Sequence, residues 1–204
     1  MNGKRLLLLA ALSLLLTGCS PSGDAPAKDA AVPDGPVQLG DTVSIDAMED
    51  FRLSDQKDVL SADGLYYATW VTGSPVPYEN SDGDTVDLYD AQIYCLVCEA
   101  SGGSKAQESC DEWLATAREH YEILTEDTVV CADQPYTFLT YNCISEDNPN
   151  SRGASAFAVR GASAVCVELT CVEDYEEDPG ELLKSFLDGC HYERNQDVIV
   201  QEVS

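Results

Sequence analysis

The chain has 204 residues, with 11 lysines and arginines against 37 aspartates and glutamates, and a formal net charge of −26 at pH 7. So acidic a surface repels phosphate backbones and anionic lipid head groups, which excludes nucleic acid as a partner and leaves neutral, cationic or metal-bearing ones. Acidity also maintains solubility, so charge alone names no activity.

In chain order, the first feature is Lys4 and Arg5 followed by the apolar run Leu6–Leu16. This is the order and length of an export signal. It is too short to span a bilayer, which takes roughly 20 apolar residues. The run ends in Leu16-Thr17-Gly18-Cys19, which resembles the bacterial lipoprotein signal. The resemblance implies that residues 1–18 are removed and that the Cys19 thiol carries diacylglycerol. Acyl chains contributing about 0.8 kcal/mol per buried methylene then hold the protein on a lipid bilayer without spanning it. Loss of Lys4 and Arg5 makes the mature chain more acidic still. Residues 19–40, rich in proline, alanine and aspartate and without an aromatic side chain, read as a flexible tether. Residues 41–204 have the length of one globular domain.

Within that domain "DTVSID" is a short alternating run, and "GLYYATWVTG" is an aromatic, β-branched strand. In "VPYENSDGDTVDLYDAQIYCLVCEA" a turn at Asp82-Gly83 separates two strand-like runs and predicts a hairpin. Ala106, Cys110, Trp113, Leu114, Ala117 and Tyr121 recur at helical spacing behind Gly102-Gly103, with Ser104 as the expected N-cap. Four β-rich runs follow, "DTVVCA", "YTFLTYNCI", "ASAFAVR" and "SAVCVELTCV", separated by turn-forming residues; they predict an antiparallel meander. Asp178, Pro179 and Glu181 form a capping box opening a second helix, whose buried face is Leu182, Leu183, Phe186, Leu187 and Cys190 and which Gly189 terminates. The tail "DVIVQEVS" reads as an edge strand or a frayed end. The expected class is α+β, an antiparallel sheet with two main helices packed on it.

This element order, with the ending "FAVRGASAVCVELTCVEDYEEDPGELLKSFLDGCHY", resembles the Mog1/PsbP-like group of α-β-α sandwiches. The resemblance implies a binding or assembly role and supplies no catalytic motif.

Eight further cysteines, Cys95, Cys98, Cys110, Cys131, Cys143, Cys166, Cys171 and Cys190, suit up to four disulfides in an exported domain, or a set of buried thiols. Cys98, ending a strand, and Cys110, early in the returning helix, are the pair expected to bridge. The "CLVC" pair lies in a strand and not at a helix N-terminus, so it lacks the setting of a redox centre. Spacings do not suit structural zinc. Asp82, Asp84 and Asp87 offer calcium-type oxygens, but the glycine position departs from an EF-hand loop and a hairpin turn explains the same residues. With no nucleophile motif, and His120 expected at the surface, the sequence reads as a non-enzyme without cofactor. It is expected to be a membrane-anchored extracytoplasmic module that binds an envelope protein or glycan through Tyr66, Tyr67, Trp70, Tyr78 and Tyr89. An extracytoplasmic enzyme with carboxylates in a cleft and a structural envelope protein are the rival classes.

Overall fold

The computed structural model describes residues 36–46, 48–54, 59–60, 64–79, 83, 85–144 and 149–192. The expected signal and tether up to residue 35, including Cys19, and also Asp82, Asp84 and the tail from 193 onward lie outside them. Strands β1 (Val37–Leu39), β2 (Val43–Ile45), β3 (Arg52–Leu53), β4 (Val59–Leu60), β5 (Leu65–Thr72), β6 (Val76–Glu79), β7 (Thr85–Leu88) and β8 (Ala91–Glu99) precede helix α1 (Gly103–His120). The meander β9 (Tyr121–Cys131), β10 (Gln134–Cys143), β11 (Arg152–Arg160) and β12 (Ser163–Cys171) leads into α2 (Pro179–Asp188) and β13 (Cys190–Tyr192).

The main sheet runs β3-β5-β8-β12-β11-β10-β9, with β4 also on β5, and its pairs are antiparallel. Successive side chains of a strand point to opposite faces, and β12 shows the consequence. Val165, Val167, Leu169 and Cys171 join Leu182, Leu183, Phe186 and Leu187 of α2 in one apolar cluster. Ala164 and Cys166 join Ala106, Cys110, Trp113 and Ala117 of α1 in another. Each helix therefore packs its apolar stripe on a different face. The α2 side is extended by a small antiparallel sheet, β1-β2-β13, which contributes Val37, Leu39, Val43, Ile45 and Cys190 to the same cluster. Full burial of such side chains contributes roughly 1.5–3 kcal/mol each.

Helix α2 begins where the sequence places it, whereas α1 begins two residues early. Asp178 accepts a hydrogen bond from the Glu181 amide at 3.0 Å, with Pro179 in the first turn. At α1 the cap is Gly102, without a side-chain hydrogen bond, so Ser104 is inside the helix and not its cap. Cys190, expected on the buried face of α2, lies beyond Gly189 in β13, where it is still fully buried. Strand β1 begins at Val37, ahead of the expected domain boundary at 41, and Gly40 at φ +58° turns it back onto β2. The long run after Gly83 is broken at Tyr89-Asp90: β6 and β7 form a separate two-stranded ribbon, and β8 enters the main sheet between β5 and β12. The β9–β10 turn is Ala132-Asp133, both at positive φ (47° and 62°). Two consecutive left-handed residues match the primed turn that suits the twist of a hairpin.

Candidate functional site

Strand β12 is covered on both faces and all of its residues but Thr170 are buried; the one charged residue among them is Glu168, 7% exposed. It faces the α1 side. Register places Ser155 of β11 directly across from it on one flank and Tyr94 of β8 on the other. From β10, the Tyr141 hydroxyl donates to the Glu168 carboxyl at 2.7 Å. Tyr121 and Ser155 also favour the charged form of the carboxyl. Because α1 passes into β9 without a loop, its end delivers Tyr121 to this spot, stacked on Tyr141 with ring centroids 4.0 Å apart and planes 5° from parallel. Gly153 keeps the space open, since a Cβ there would sit 2.7 Å from the Tyr141 hydroxyl.

The electrostatics follow from burial. Loss of water raises the Glu168 carboxyl above the ordinary carboxylate value, and the hydroxyls of Tyr141, Tyr121 and Ser155 pull it part of the way back. Tyr94, Tyr121 and Tyr141 are all pushed up, burial being the first cause in each. The result is a carboxyl that retains its proton to higher pH inside a shell of hydroxyls, with little of its surface open to a ligand.

The second feature is an open, shallow depression of about 410 Å³ at one end of the sheet, lined by Asp90, Val172, Asp174, Tyr175, Glu176 and Glu177. All four carboxylates are exposed. The loop is fixed from below: the Val172 amide donates to the Asp90 carbonyl, and the Arg152 guanidinium donates to the carbonyls of Tyr175 and Glu177. With the nearby arginine spent on backbone carbonyls, the carboxylates face solvent. Tyr175 is pushed up to about 12, first by burial and then by Glu177. Four exposed carboxylates give this rim a negative field.

The expected aromatic surface does not assemble. Trp70, 2% exposed, packs edge-on against Phe186 at 5.1 Å in the α2-side core, and Tyr67 stacks on Tyr94 at 5.5 Å on the other face. Tyr66 packs against the α2-side cluster, raised first by the charge of Glu99. Tyr78 lies on the β6–β7 ribbon, and Tyr89 lies beneath Arg52, whose guanidinium carbon is 5.3 Å from the ring centroid. Strand alternation and the break before β8 separate the set. Asp87 is an exposed residue of β7. Among the described residues, no group of three or more His, Cys, Asp or Glu is arranged to hold a metal.

No disulfide joins any of the eight described cysteines, so the expected Cys98–Cys110 bridge is not made in this structure. Both side chains belong to the α1-side cluster, where cysteine packs as a small apolar residue. Cys95 and Cys98 fall on opposite sides of the sheet, Cys95 in the α2-side core. Burial pushes the Cys110 thiol up to about 11 and the Cys143 and Cys190 thiols up to about 12, leaving them protonated and unreactive at neutral pH. His120 is exposed and bonded to the Thr116 carbonyl, whereas His191 pairs with Asp46 at 2.8 Å.

Neither Glu168 nor Arg152 was singled out by sequence. The available signal was a lone carboxylate inside the apolar run "SAVCVELTC". Arg152 carried none, because its loop partners lie 23 and 25 residues away.

No family model and no curated protein matches the chain. Among solved structures it is similar to the solution structure of cyanobacterial PsbP (CyanoP) from Synechocystis sp. PCC 6803, at 11% identity and a TM-score of 0.38, over 72% of this chain and 95% of that one. It is also similar to a crystal structure from Bacteroides thetaiotaomicron VPI-5482, at 8% identity and a TM-score of 0.36, over 76% of this chain and 46% of that one.

Proposed function

We propose that the chain is an extracytoplasmic bacterial lipoprotein, anchored through acylated Cys19, whose domain acts by binding a partner in the cell envelope. We also assign the domain to the Mog1/PsbP-like sandwiches, on the order of its strands, helix, four-strand meander and closing helix. The observation that carries the binding reading is the separation of chemistry from access. The described carboxyl held above its ordinary range, Glu168, is closed in, while the exposed carboxylates line a depression that is open and shallow. A catalytic acid needs its perturbed proton within reach of substrate. A docking surface needs exposed charge and a complementary partner.

Reversing the charge of the rim tests this reading. Membranes from cells making the parent chain or Asp174→Lys/Glu176→Lys are cross-linked, and the captured neighbours compared by mass spectrometry. The expected result is a partner captured by the parent and lost, by about tenfold or more, from the reversed rim. Capture unaffected by the reversal, or turnover of any envelope substrate abolished by Glu168→Gln in a folded protein, would overturn it.

A further inference from the structure

We propose that the outer edge of β9, along Thr125–Cys131, takes up an extended cationic segment of a partner protein by strand addition. The proposal rests on the binding reading above and names a different surface from the acidic depression. Among the described residues β9 ends the main sheet: β10 pairs one side, and no strand pairs the other. The opposite edge is short, since β3 and β4 are two residues each, whereas β9 has 11. Proteins blunt a long edge with charged side chains, lysine above all, with proline or with a bulge, because an unpaired row of amides and carbonyls templates further strands. Strand β9 carries a bulge at Leu124 and carboxylates, which turn away a second acidic strand and leave a cationic one admissible. Strand β9 contains no lysine, proline or glycine.

The edge is also regular where it matters. Register shifts between Thr140↔Thr125 and Tyr141↔Ile123, so Leu124 is the extra residue of a bulge. Bulges bend a strand and interrupt its ladder, which leaves Thr125–Cys131 as the uninterrupted stretch. Thr125, Thr128, Val129 and Val130 are β-branched and suit pairing. Val130 is 68% exposed, a large apolar side chain beside an open edge.

Charge selects the occupant. Glu122, Glu126 and Asp127 stand exposed along the strand, with Asp133 in the turn beyond it. The cation beside them, Arg118, is paired with Glu126. A second copy would bring the same carboxylates and a chain of net charge −26 against this edge, which costs association free energy. An extended segment alternating lysine or arginine with β-branched residues meets the carboxylates with the opposite sign. Main-chain hydrogen bonds then supply affinity, and the alternation supplies selectivity.

The test is hydrogen–deuterium exchange on the full chain purified from membranes in detergent. The probe is an acetylated peptide of alternating lysine and valine, compared with the same peptide N-methylated at every residue, which keeps the charges and loses the amide donors. The expected result is slowed exchange across residues 125–131 with the first peptide and not the second. Asp127→Lys/Thr128→Lys, at two exposed positions, is expected to weaken binding by about tenfold or more. Equal binding of the N-methylated peptide, protection at residues 173–178 in place of 125–131, or a dimer through β9 without peptide would each overturn the proposal. Acylation at Cys19 and the effect of the Asp174→Lys/Glu176→Lys reversal are read in separate experiments, so failure of the anchoring or of the rim is distinguishable from failure of the edge.

Discussion

Replacing Tyr141 by phenylalanine removes one oxygen and leaves the ring stacked on Tyr121. What is lost is the 2.7 Å hydrogen bond to Glu168 and a longer one, 3.5 Å, to the Leu169 carbonyl. The sign with pH follows from the carboxyl's position. Its folded pKa is raised by burial, so Glu168 contributes most favourably below the unfolded carboxylate value, and stability is lost as pH rises through the raised folded value. The Tyr141 hydroxyl opposes that loss, because it hydrogen-bonds the ionised form most strongly. Near pH 4, where the carboxyl is protonated, the variant is expected to lose about 1 kcal/mol, the net value of a neutral hydrogen bond. Once pH has risen past the raised folded value, the loss is expected to grow to about 1.5–3 kcal/mol, the range for a hydrogen bond to a charged group. For a domain of this size the shift in Tm is then roughly 2–4 °C in acid and roughly 3–12 °C in base. Urea unfolding of parent and variant, followed by tryptophan fluorescence on both sides of that value, measures the difference. A loss that stays constant or shrinks as pH rises would refute the reasoning.

Glu168→Gln keeps an acceptor for Tyr141 and removes the titration, so urea midpoints of this variant are expected to fall less than the parent's as pH rises above the ordinary carboxylate range; an identical pH slope would count against the buried carboxyl. Asp178→Ala removes the acceptor of the Glu181 amide and is expected to cost about 1 kcal/mol by urea unfolding, with α2 exchanging hydrogen faster. Ala132→Gly relieves a left-handed residue in the β9–β10 turn. The relief of about 1–2 kcal/mol outweighs the added freedom of the unfolded chain, roughly 0.4–1 kcal/mol, so a small rise in Tm is expected. Leu183→Ala, at a fully buried position on α2, is expected to cost about 2–5 kcal/mol in the same unfolding assay.

What the sequence disclosed was whatever is decided locally. Asp178, Pro179 and Glu181 act within one turn, and the four runs of the meander pair with their neighbours in the chain, so both were legible. Spacing also put Ala106, Cys110, Trp113 and Ala117 on one buried face. Features depending on distant partners were hidden. Strand β1 is a short VQL run beside a proline- and glycine-rich segment, and β2 finds β13 only across most of the chain. The surroundings of Glu168 come from β8, β9, β10 and β11, which no local pattern unites. The aromatic set does not form one surface because Tyr66 and Tyr67, neighbours on β5, face opposite ways, and sequence alone does not say which face is core.

The most direct measurement on the account as a whole is the mass of the mature protein recovered from cell membranes, made for the parent and for Cys19→Ala. The account predicts that the parent begins at Cys19, carries the added mass of diacylglycerol on that residue and partitions with the membrane, and that the variant lacks the lipid. A parent recovered intact from Met1, unacylated and in the soluble fraction, would contradict the anchoring and the envelope role together.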